Sequence, residues 1–71
     1  MELIGLREIR KKKGYSQLKV AMDLSISREA LSYYESGQRN PDINMLLRLS
    51  QYFNVSIDYL ITGKEFHSQT K

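Results

Sequence analysis

The chain has 71 residues, no cysteine and a net charge of +3. That length supports one domain, near the lower size at which a chain folds unaided, and the lack of thiols excludes disulfides and thiolate metal sites. No apolar run approaches the roughly 18–20 residues of a membrane span, and Met1 to Gly5 lacks a secretory pattern, so a cytoplasmic protein without a membrane partner is expected.

Helix one is predicted from about Glu2 to Lys13, with Leu3, Leu6 and Ile9 as its apolar stripe and Gly14 as its stop. Helix two starts at Ser16, a favourable N-cap, and carries Val20, Ala21 and Leu24 on one side. Ser25-Ile26-Ser27 makes a turn, Ile26 facing inward and Ser27 capping helix three, which runs from about Arg28 to Ser36 and ends at Gly37. After a loop from Gly37 to Asp42, helix four spans Ile43 to Phe53. Its residues Ile43, Leu46, Leu47, Leu49 and Phe53 are directed towards a core. Ser56 caps a short fifth helix through Ile61, which Gly63 terminates. No segment alternates with the period of a strand, so the expected class is all-α, a compact five-helix bundle. Residues 1–63 form the domain and residues 64–71 a flexible tail.

Charge is unevenly placed. Residues 1–39 carry eight Lys or Arg against five Asp or Glu, whereas residues 40–71 carry three of each. The whole basic excess therefore accompanies the first three helices, which suits a polyanionic partner. On a helical wheel for helix three, Arg28, Glu29, Ser32, Tyr33 and Ser36 fall within an arc of about 140°, opposite Ala30, Leu31 and Tyr34. That polar arc offers groups that bond base edges: Arg to guanine, Glu to cytosine, and Ser to either. Arg28, Glu29, Ser32 and Tyr33 are the candidate base-contacting residues of a helix laid in the major groove. Gln17 at the first turn of helix two, Ser27 and Ser36 at the ends of helix three, and Arg39 and Asn40 in the following loop are the candidate phosphate contacts. Replacing Arg28 is expected to relax sequence preference, and replacing Arg39 to weaken all sequences alike.

Arg10 falls between Leu3 and Leu6 on the apolar side of helix one, where a guanidinium needs a carboxylate. Glu35 flanks the inward side of helix three in the same way, so an Arg10–Glu35 ion pair tying the two helices is expected.

Ser16-Gln17, Val20-Ala21, Ile26-Ser27, Leu31, Tyr34-Glu35, Gly37 and Pro41, with Leu46, Phe53, Val55-Ser56 and Tyr59-Leu60, resemble the Cro/CI-like helix-turn-helix family of phage repressors and bacterial XRE-type regulators. The likeness covers about residues 3–63. It implies a lambda-repressor-like bundle that binds double-stranded DNA at a near-palindromic operator as a homodimer and regulates transcription, commonly by repression, in a bacterial or phage setting. It also implies Gln17 on phosphate, the polar arc of helix three on bases, an Arg–Glu pair at Arg10 and Glu35, and pairing of subunits near Tyr52, Val55, Tyr59 and Ile61. Two positions depart from the family pattern. Ser25 stands where glycine is usual in the turn, and Leu18 stands where a polar residue is usual.

An enzyme is not expected. The glycines, Gly5, Gly14, Gly37 and Gly63, read as scattered helix stops and build no phosphate-cradling loop, and the single histidine, His67, falls in the tail. No cofactor, metal or small-molecule ligand is expected either. The rival reading is a protein-binding adaptor or antitoxin component, gripping its partner through Leu18, Tyr33 or the last helix.

Overall fold

The structure is a computed structural model and describes residues 1–65. The tail read over residues 64–71, with His67, lies outside the described residues from position 66 onwards. Five α-helices follow in order: α1 (Ile4–Lys12), α2 (Gln17–Leu24), α3 (Arg28–Ser36), α4 (Ile43–Phe53) and α5 (Ile57–Thr62). Among the described residues there is no strand and no helix long and apolar enough to cross a membrane.

Local chemistry starts four of the five helices. The side chains of Ser16, Ser27, Asp42 and Ser56 accept the amide hydrogens of Lys19, Ala30, Met45 and Tyr59 at 2.8–3.0 Å. Each bond satisfies a donor that the first helical turn cannot pair internally. Helix α1 has no such cap. Its N-cap is Leu3, a fully buried side chain whose amide donates to the Tyr34 carbonyl at 3.4 Å. The chain therefore enters α1 anchored by packing, and the helix begins at Ile4, later than the expected Glu2.

Leu3, Leu6, Ile9, Val20, Leu24, Leu31, Leu49, Phe53 and Leu60 form one core shared by all five helices and the residue preceding α1. Two expected core residues are not in it. Ile43 is 74% exposed and Leu47 is exposed as well. They stand one turn apart, about 120° and 160° round α4 from buried Leu49, so the inward arc of this helix is narrower than its run of apolar letters.

Gly5 is not a helix stop. It is buried in the first turn of α1, and a Cβ there would lie 1.7 Å from the carbonyl oxygen of Tyr59. The missing side chain is what lets α5 cross α1 backbone to backbone.

The α2–α3 turn is set by Ser25, at φ 58° and ψ 41°, in the left-handed region that costs an L-residue roughly 1–2 kcal/mol. Glycine accepts this conformation freely but loses more entropy on folding. The difference predicts that Ser25→Gly stabilises the protein by about 0.5–1 kcal/mol, read as a higher urea midpoint at unchanged slope. A lower midpoint would mean that the serine side chain supports the turn.

Candidate nucleic-acid interface

Helix α3 is cleanly divided. Leu31 is buried, as is the carboxylate of Glu35, while Arg28, Glu29 and Ser36 are exposed and Ser32 and Tyr33 half-buried. The exposed set begins directly after the Ser27 cap, so Arg28 and Glu29 form the leading end of the helix. Helix α2 lies across α3 as the supporting element. Its C-terminal carbonyl at Leu24 accepts a 2.7 Å hydrogen bond from Arg48 of α4. The Tyr52 hydroxyl also reaches α2, donating to Asp23, which is paired with Lys19 at 2.9 Å. Those two donors hold the Asp23 carboxyl below its ordinary value, the tyrosine hydrogen bond being the larger cause.

Beneath the polar face lies a connected set of side chains. Arg10 donates through Nε to Glu35 Oε2 at 2.6 Å, through Nη2 to Glu35 Oε1 at 3.0 Å, and through Nη1 to the Tyr15 carbonyl at 3.0 Å. Arg10 is 9% exposed and Glu35 2%. This is a two-point guanidinium–carboxylate contact in a dry setting, the strong form of such pairs. Glu35 Oε1 also accepts from Gln17 Nε2 at 3.1 Å, and Arg7 approaches it at 3.8 Å. Gln17 in turn accepts a 3.3 Å hydrogen bond from Arg28 Nη1. The chain of contacts thus runs from the core through Gln17 to the leading residue of α3. Gln17 keeps one amide hydrogen unused in these contacts, at a helix start where anions are favoured.

The loop after α3 closes the interface. Gly37 has φ 86°, and the Tyr33 carbonyl accepts amide hydrogens from Gly37, Gln38 and Arg39 at 2.9, 3.0 and 3.3 Å. Ser36 turns its hydroxyl to the same carbonyl at 3.4 Å. Arg39 is exposed, with its guanidinium carbon 5.2 Å from the Tyr33 ring centre. Asn40 Oδ1 accepts from the Met1 amino group at 2.8 Å.

The residues expected to meet a subunit partner are less uniform. Tyr52 packs edge-on against Phe53 at 4.8 Å and against Tyr15 at 6.2 Å, so its ring and its hydroxyl are both engaged within the chain. Val55, Tyr59 and Ile61 are half-buried along the α4–α5 turn and α5. The roles of Arg48 and Arg7 were not readable beforehand, because a side chain reaching another helix leaves no local pattern. The Lys19–Asp23 pair, four residues apart on one helix, did leave one. Among the described residues no group of His, Cys, Asp and Glu could hold a metal ion.

A family model described as a helix-turn-helix domain matches residues 5–65. The chain is 48% identical over 60 residues to the HTH-type transcriptional regulator ImmR of Bacillus subtilis, covering 84% of this chain and 46% of that one. It is 41% identical over 60 residues to the uncharacterised HTH-type transcriptional regulator YqaE of the same organism, covering 84% and 52%. It is 38% identical over 60 residues to the HTH-type transcriptional activator BcrR of Enterococcus faecalis, covering 84% and 29%. The chain spans about half the length, or less, of these relatives.

Proposed function

Because the chain belongs to the XRE-type helix-turn-helix family, a family of regulators and not of enzymes, we propose that it binds double-stranded DNA in a sequence-specific way and controls transcription. Control is by repression where the bound site overlaps a promoter. In this reading α3 enters the major groove with Arg28, Glu29, Ser32 and Tyr33 towards base edges. Gln17, Ser27, Ser36, Arg39 and Asn40 meet the phosphates on either side and fix the register.

The observation that carries the reading is the exposed leading end of α3. Arg28 and Glu29 are free of the core while Leu31 and Glu35, on the opposite flank, are buried. A helix anchored along one flank and polar along the other can be pressed into a groove without unfolding its support. The basic excess of residues 1–39 adds attraction to the backbone. We extend the proposal to a homodimer paired through Val55, Tyr59 and Ile61, with Tyr52 at the margin, on a near-palindromic operator.

Selection of bound sequences from a random DNA pool by the full chain tests all of this at once. The expected result is an enriched site with two related halves centred about 10 base pairs apart, bound more weakly as salt rises. Arg28→Ala should flatten the preference at the bases under the start of α3 by about tenfold. A pool that returns unenriched, or an affinity indifferent to salt, would overturn the proposal. It would favour a protein partner for the apolar pair Leu18 and Met22, which stand one turn apart on α2, 56% and 68% exposed.

A further inference from the structure

Among the groups flanking the polar face of α3, Arg39 is the one whose surroundings do not match a simple phosphate contact. A loop cation that only grips the DNA backbone needs a free end and no partner on the recognition helix. Arg39 has two connections to Tyr33. Its amide donates to the Tyr33 carbonyl at 3.3 Å, and its guanidinium lies over the Tyr33 ring at 5.2 Å. The first contact belongs to a turn in which the amides of Gly37 and Gln38 close on the same carbonyl, so the backbone itself delivers the arginine to the ring. The second is the stacking of a planar cation on an aromatic face, which an ammonium group of equal charge reproduces poorly.

We infer that Arg39 is a specificity-positioning residue: by covering one face of the Tyr33 ring it fixes which face and edge of that ring are presented to the base pairs beneath the middle of α3. The inference rests on the reading of α3 as the base-reading helix, and it departs from the expectation that Arg39 affects all sequences alike. Tyr33 is half-buried and offers a broad, nearly apolar surface. Such a ring discriminates bases by shape only when its rotation is restricted. Leu31 and Glu35 are turned away into the core, and Ser36 bonds the Tyr33 carbonyl, not its ring. The stacked guanidinium is therefore the contact on this flank that can restrict it.

The test uses the full chain and compares wild type, Arg39→Lys, Tyr33→Ala and the double variant by selection from a random DNA pool, read position by position. The measured quantity is relative preference, which a change confined to phosphate contact lowers nowhere in particular. Arg39→Lys is expected to flatten preference about five- to tenfold at the same positions as Tyr33→Ala, and to add nothing there once Tyr33 is gone. The positions flattened by Arg28→Ala should stay sharp in Arg39→Lys. If Arg39→Lys keeps the wild-type preference at every position while wild type itself selects a site, this inference fails and the recognition-helix reading stands. If wild type selects nothing, both fail together.

Discussion

Glu35→Ala is expected to destabilise the protein by about 3–5 kcal/mol, lowering Tm by at least about 12 °C. Removing the carboxylate leaves the Arg10 guanidinium 9% exposed and without the partner that takes two of its hydrogen bonds. A surface ion pair would be worth under about 1 kcal/mol. The larger figure applies because the side chains are buried, and an orphaned buried charge costs more than the lost attraction. Gln17 loses the acceptor for its amide in the same substitution. A paired replacement separates the two effects. Arg10→Met with Glu35→Leu removes both charges and fills similar volume, so it should recover most of the loss. Thermal unfolding measures all three proteins. An unchanged Tm in Glu35→Ala would mean that the pair is not an anchor between α1 and α3.

Gly5→Ala should cost about 3 kcal/mol or more, and here two physical effects oppose each other. In an isolated helix alanine is favoured over glycine by about 1 kcal/mol, so propensity alone predicts a stabilised α1. Packing predicts the reverse. The new methyl would meet the Tyr59 carbonyl oxygen at 1.7 Å and its carbon at 2.6 Å, and both are backbone atoms that no rotamer change can move. Helix α5 must shift bodily away from α1, giving up the burial of Leu60 against Leu6 and Leu3 that holds it in the shared core. Overpacking against side chains already costs about 1–3 kcal/mol, and a rigid obstacle raises that. Urea unfolding decides between them through the sign of the change. A stabilised Gly5→Ala would show that α1 and α5 do not cross as closely as described. Because α5 carries Tyr59 and Ile61, the same variant should also weaken any pairing of subunits through that helix.

The contrast between these two substitutions explains what could be read from the letters. The partnership of Arg10 and Glu35 is signalled by two charged residues on apolar stripes, each needing the other. The starts of α2 to α5 are legible because Ser16, Ser27, Asp42 and Ser56 act on amides only three residues away. Gly5 was misread because its reason lies on α5, more than fifty residues along the chain. Ile43 and Leu47 were misread because α4 has apolar residues over more of its circumference than the core uses. In the interface, the polar arc of α3 follows from a 3.6-residue period. The link from Glu35 through Gln17 to Arg28, and the stacking of Arg39 on Tyr33, depend on how α1, α2 and a loop meet that helix.

The most direct measurement of whether α3 reads bases is methylation interference on the selected DNA, which probes guanine N7 on the floor of the major groove. The expected pattern is a cluster of interfering guanines on one face of the duplex, part of which disappears in Arg28→Ala while the rest persists. A folded protein that binds the DNA yet tolerates methylation at every guanine would contradict it.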